Sequence, residues 1–183
     1  MTRSQWTHRG IATRLGLFGL ASAIVEPALT VLLRARFGPG NKRSGILACG
    51  VRDTRGWLLG VNDLGNLHLT LHDGGGNTVV AGPAVRDNAW RWIGLQYGDG
   101  NAWLLVDGRQ YAAAGAAVTL PQAADGLRIG TEFAGATGGE YAAMDTEIEA
   151  LMAWPRLLHE GDLLRQVRDP YRAFREGVAL VGV

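Results

Sequence analysis

The chain has a single cysteine, Cys49, so no intrachain disulfide can form and a disulfide-stapled secreted module is excluded. Cys49 lies in an apolar run and reads as a small buried hydrophobe. Charge of one sign is lacking too. Lys+Arg number 18 against 17 Asp+Glu, a net charge of +1, so there is no basic field to hold a phosphate backbone and nucleic-acid binding is not expected. An unbroken membrane-length run is also missing. Residues 15–33 are mostly apolar, but Glu26 and Pro27 interrupt them and leave neither part long enough to span a bilayer. Two strands joined by a Glu-Pro corner are expected there, with no signal peptide and no membrane partner.

Glycine and short apolar runs are plentiful. The 27 glycines are scattered without a period among residues that are 47% hydrophobic, which suits an all-β domain rich in turns. Residues 90–108 show this most clearly. Two aromatic and aliphatic runs, 90–97 and 102–106, flank Gly98-Asp99-Gly100-Asn101, and Asp107-Gly108 follows at once. Asp-Gly pairs supply the positive φ of tight hairpin turns, so a β-hairpin is predicted.

The remaining strands follow from alternation and turn chemistry. Residues 28–37 put Leu29, Val31, Leu33, Ala35 and Phe37 on one face. Residues 45–51 and 57–62 are short strands around the charged loop 52–55. Residues 66–72 alternate Leu67, Leu69 and Leu71 with His68, Thr70 and His72. Residues 78–81 are a brief strand. The Ala-rich stretch 110–117 is extended because turn signals bracket it, and 126–130 is a short strand. Residues 145–154 form a long strand with Ile148, Ala150, Met152 and Trp154 on one face, ended by Pro155. Residues 160–168 are the one convincing helix, acidic in its first turn and stopped by Asp169-Pro170. The predicted fold is all-β: an antiparallel jelly-roll β-sandwich with one short C-terminal helix. The expected organisation is an N-terminal arm 1–10, a sandwich 11–168 and a tail 169–183.

In that order the C-terminal half resembles the laminin-G-like, concanavalin-A-like jelly-roll superfamily. The resemblance rests on the Trp-led strand from Trp90 to Leu95, the Val106-Asp107-Gly108 turn, Leu127-Arg128-Ile129-Gly130, the Ile148-Glu149 strand, and Trp154-Pro155-Arg156-Leu157-Leu158 before a helix. Asp169-Pro170-Tyr171-Arg172-Ala173-Phe174 is similar to the N-P-W-x-x-F tail behind this jelly roll in bacteriophage proteins, with Asp for Asn and Tyr for Trp. What the resemblance implies is a non-enzymatic structural or attachment component of a phage virion, assembled in the bacterial cytoplasm. Its partners would be other virion proteins or copies of itself. A carbohydrate-binding module contacting a host-surface glycan is the alternative, and a glycosidase a third. No cofactor is expected, and calcium enters only through the resemblance.

No residue set carries chemistry outright. Asp145, Glu147 and Glu149 alternate on one strand, and i, i+2 carboxylates about 6.6 Å apart would permit glycoside hydrolysis. The spacing does not match the E-x-D-x-x-E of concanavalin-A-like glycosidases, and the acids are expected to face water, with ion pairing to nearby arginines as the lesser alternative. His68 and His72, about 13 Å apart on a strand, cannot share an ion and are expected on a polar outer face or at a subunit interface. Asp99, Asp107 and Asp125 read as turn residues. Ser4, Ser22 and Ser44 lie in no nucleophile-elbow setting. Trp90 and Trp92 share a face opposite Ile93, Leu95 and Tyr97, so one face can be core while the other meets a subunit or ligand. Rim loops 52–55, 74–77 and 131–143 are the expected contact sites. The candidate contact residues are Arg52, Arg55, Trp57, Asn77 and Tyr141, with Trp6, Tyr171 and Phe174 in the arms.

Overall fold

The structure is a computed structural model that describes residues 27–40, 43–115, 119–122, 125–130 and 146–170. Ten strands and one helix follow in order: β1 Leu29–Phe37, β2 Ser44–Val51, β3 Arg55–Val61, β4 Asn66–His72, β5 Asn77–Ala84, β6 Trp90–Gly98, β7 Asn101–Val106, β8 Arg109–Gly115, β9 Leu127–Ile129, β10 Thr146–Trp154 and α1 Glu160–Arg168. They make two five-stranded antiparallel sheets, a front sheet β10-β1-β6-β7-β8 and a back sheet β5-β4-β3-β2-β9. This is the jelly-roll sandwich with one short C-terminal helix that the strand pattern predicts. Among the described residues no helix is long and apolar enough to cross a membrane.

Period-two alternation builds the core. Leu29, Val31, Leu33, Ala35 and Phe37 of β1 and Ile93, Leu95 and Tyr97 of β6 face inward from the front sheet. They meet Cys49, Trp57, Leu59, Leu67, Leu69 and Leu71 of the back sheet. A bulge between Gly45 and Leu47 lets the consecutive Ile46 and Leu47 both enter this core. Cys49 is buried as expected, and burial, with the Asp125 charge second, pushes its thiol pKa up to about 12. The hairpin turns are also as predicted: Asp99 and Gly100 have φ of 51° and 73°, and Asp107 and Gly108 have 50° and 78°.

The outer face of the front sheet is covered by the chain's own helix. Leu158, Leu163 and Val167 pack on Leu32, Trp92, Trp103, Leu105, Met152 and Trp154, forming a second apolar cluster. α1 leans so closely on the Asp107-Gly108 turn that a Cβ at Gly108 would come within 2.9 Å of Val167 Cγ2. A buried polar network fixes the segment leading into α1. Gln96 Nε2 donates to Thr30 Oγ1 at 3.0 Å and to the Leu158 carbonyl at 2.8 Å, and Leu158 N donates to Thr30 Oγ1 at 3.1 Å.

β10 departs from the simple alternation. A register shift opposite Arg34/Ala35 sets Ile148 against Ala35 but Ala150 against Arg34, leaving Glu149 as an extra residue. Ile148, Leu151 and Ala153 pack on the main core, while Ala150, Met152 and Trp154 join the helix-side cluster. The four residues expected on one face are therefore split, because a bulge resets the alternation. β5 also runs longer than expected, from Asn77 to Ala84.

Candidate functional site

Strand direction assigns every loop to one of two ends. Residues 38–40 and 43 and the loops 62–65 and 85–89, with the starts of β6 and β10, lie at the end where β1 finishes. Loops 52–54 and 73–76 lie at the opposite end.

The described part of the expected contact region lies at this opposite end, where Arg55 and Asp73 are engaged internally. Arg55 grips Asp125 with two hydrogen bonds of 2.8 and 2.7 Å and holds its carboxyl below the usual carboxylate range. Asp125 is thus a largely buried partner, not a plain turn residue, and Arg55 is committed to the fold. Asp73 Oδ1 accepts the Gly75 and Gly76 N–H groups, which lower its pKa. Arg52 lies 4.0 Å from Asp53, and Asn77 is exposed at the start of β5. Trp57 is no contact residue. It is 0% exposed, placed between Cys49 and Leu71 in the back sheet, with its ring in the core. Trp6, Tyr141, Tyr171 and Phe174, the loop 131–143 and the arm 1–10 lie outside the described residues.

The two histidines do lie on the outer face of the back sheet, but they are buried, at 7% and 2% exposure. His68 fits over the bare backbone of Gly60, where a Cβ would come within 2.9 Å of its Cε1. His72 Nδ1 accepts the Asp53 N–H at 3.2 Å. Burial pushes the His68 pKa down to about 4, with the Arg43 charge adding to it.

The end where β1 finishes has two features absent from the sequence reading as a unit. One is a cleft of about 410 Å³ lined by Gly40, Asp63, Leu64, Gly65, Ala84, Arg86 and Asp87. Leu64 at its edge is 82% exposed. Arg86 braces the cleft through the Gly38 carbonyl at 3.3 Å and Ser44 Oγ at 3.1 Å. The other feature, reached through Asp87, Asn88 and Ala89, is Trp90. It is 37% exposed, unlike Trp92, which α1 covers. The guanidinium carbons of Arg34 and Arg36 lie 5.4 and 5.2 Å from its ring centroid. Arg34 is paired with Glu149 at 2.7 Å, and Arg36 with Glu147. These acids form cross-strand ion pairs, since Glu147 and Glu149, two positions apart on β10, lie beside the Arg34/Arg36 row of β1. Trp90 stood in the notable hairpin all along. What singled it out from Trp92 was the reach of α1, which alternation does not show.

As chemistry, this end offers an aromatic surface, hydrogen-bonding edges and a neighbouring hollow. Of the three acids considered for glycoside hydrolysis, Asp145 lies outside the described residues, and Glu147 and Glu149 are each engaged by an arginine. For calcium, the described residues contain no group of three or more His, Cys, Asp or Glu able to hold a metal ion. Asp63 accepts the Arg43 N–H and Asp87 is bound to Arg91, so the cleft acids do not fit such a site.

No protein-family model matches the chain, and no curated protein matches its sequence. Its fold does match solved structures. One is mouse laminin α1 chain domains LG4-5, with a TM-score of 0.59 and 20% identity over 75% of this chain. Another is the CBM40 of the Ruminococcus gnavus IT-sialidase, with a TM-score of 0.61 and 14% identity, covering 91% of this chain and 95% of that one. That module has also been solved bound to α2,3-sialyllactose. A third is botulinum neurotoxin type C, whose cell entry depends on interaction with two ganglioside molecules, with a TM-score of 0.62 and 10% identity over 83% of this chain. The chain spans 38% of the laminin and neurotoxin chains. At these identities the shared property is the lectin-like jelly-roll fold.

Proposed function

We propose that this chain is a non-catalytic glycan-binding domain that takes its ligand at the end where β1 finishes, with Trp90 as the stacking surface. The observation that carries the reading is the outward Trp90 ring, held by two arginines beside a cleft, on a sandwich where the other front-sheet tryptophans are packed under a helix. Aromatic faces with a few convergent polar groups suit the amphipathic faces of sugars. The likeness to the sialyllactose-bound CBM40 and the ganglioside-dependent neurotoxin supports a binding role over an enzymatic one. A glycan array probed with the wild type and Trp90→Ala tests it. The expected result is saturable binding to at least one glycan, weakened about tenfold or more in the variant. Binding to no glycan would overturn the proposal.

A phage-virion role, with virion proteins or further copies of the chain as partners, rests on the Asp169-Pro170-Tyr171-Arg172-Ala173-Phe174 motif. It is compatible with glycan binding, since an attachment component can carry a lectin-like site. Mass spectrometry of purified particles from a lysing host culture tests it, and absence of the chain from them would remove this reading.

A further inference from the structure

We infer that the Trp90 surface selects a neutral pyranose and discriminates against glycans carrying carboxylate or sulfate; this rests on the glycan-binding reading above. The inference comes from the charge arrangement around the ring. Arg34 and Arg36 are outward neighbours on β1, and Arg36 lies across from Trp90 on one side and from Glu147 on the other. An uncompensated pair of arginines under an exposed indole would make an anion site. Here each arginine already has its carboxylate: Arg34 Nη1 donates to Glu149 Oε2 at 2.7 Å, and Arg36 Nη2 donates to Glu147 Oε1. Alternation sets Glu147 and Glu149, two positions apart, on the face of β10 beside this arginine row, and Glu149 still reaches Arg34 although the bulge sets Ala150 against it.

Arg91 is compensated in the same way, while the cleft residues Arg86 and Asp63 are held by neutral groups. Arg91 is bound to Asp87 and lies 3.7 Å from Asp107. Arg86 is engaged by Gly38 and Ser44, and Asp63 by the Arg43 backbone. An incoming carboxylate or sulfate would have to approach Glu147, whose side chain is 54% exposed, with the guanidiniums of Arg34, Arg36 and Arg91 already paired with carboxylates. A neutral sugar meets no such obstacle. Its C–H face can lie on the indole, while the outer edges of the Arg–Glu pairs offer donors and acceptors side by side, as vicinal hydroxyls require. The two guanidiniums over the ring hold it in place, which lowers the ordering cost of binding.

The test is a glycan array carrying neutral oligosaccharides beside matched sialylated and sulfated versions, for example lactose beside α2,3-sialyllactose. It is probed with the full chain, Trp90→Ala, Trp90→Phe and the double variant Glu147→Gln/Glu149→Gln. The expected result is binding to neutral glycans at least about tenfold tighter than to their anionic counterparts. Trp90→Ala should lose this binding and Trp90→Phe largely keep it. The double glutamine variant should narrow or reverse the preference, because it exposes the two guanidinium charges. Equal or tighter binding of the anionic members by the wild type would overturn this inference while leaving the glycan-binding reading intact. A neutral preference unaffected by Trp90→Ala would also overturn it. Binding to no glycan would remove both.

Discussion

Trp57 and Trp90 carry the same side chain, and burial alone gives them opposite roles. Trp57 is sealed in the core, so Trp57→Ala belongs with large cavity-forming changes, while Trp90 is part-exposed and available to a partner. His68 gives a pH prediction at this scale. Its folded pKa of about 4 lies below the ordinary histidine value of 6.5, so the unfolded chain binds the extra proton first as pH falls. The stability contributed by neutral His68 is therefore complete above about pH 6.5 and is lost progressively down to about pH 4, by up to about 3 kcal/mol. Urea midpoints at several pH values should show a shallower acid loss in His68→Gln than in the wild type; identical slopes would contradict this. Cys49, buried with its thiol pKa pushed up to about 12, should resist Ellman's reagent at pH 8 in the folded protein and react once it is denatured. Rapid labelling of the native chain would refute this.

Elements defined by local rules were the ones legible in the sequence. The β6–β7 hairpin follows from Asp99-Gly100, β4 from the Leu67/Leu69/Leu71 alternation, and α1 from residues 160–168 with their acidic start. Elements altered by long-range contacts were not. Nothing local in Glu147-Ile148-Glu149-Ala150 announces a bulge, which arises from pairing with Arg34 and Ala35. The Thr30–Gln96–Leu158 network is equally silent, because its members lie 62 to 128 positions apart. It sets where α1 begins, so it predicts a stability effect at the element scale. Gln96→Leu leaves the Leu158 carbonyl and Thr30 hydroxyl without this donor and should cost about 1–3 kcal/mol. Hydrogen exchange in residues 158–168 should quicken at the same time. An unchanged denaturation midpoint with unchanged exchange would show that the network does not anchor the helix.

For the whole molecule, the sequence disclosed the sandwich, while the described contact loops it pointed to lie at the end opposite the proposed site. Loops 52–55 and 74–77 are rich in charge and glycine, which reads as a contact surface, yet Arg55–Asp125 and the Asp73 turn satisfy themselves. The other end is assembled from β1, β6 and β10 with the loops near residues 40, 64 and 86, and their meeting depends on strand order that single-chain patterning does not encode. The aromatic signal in the hairpin was correct in kind, since a second apolar face exists. α1 claims much of that face, and Trp90 and, on β8, Tyr111 stay exposed. The most direct measurement is an NMR titration that follows the indole N–H signals of the six tryptophans while the tightest neutral glycan from the array is added. The expected result is a saturable shift of the Trp90 signal, with Trp57, Trp92 and Trp103 little changed. Saturable binding that leaves Trp90 unmoved, or that persists in Trp90→Ala, would contradict it.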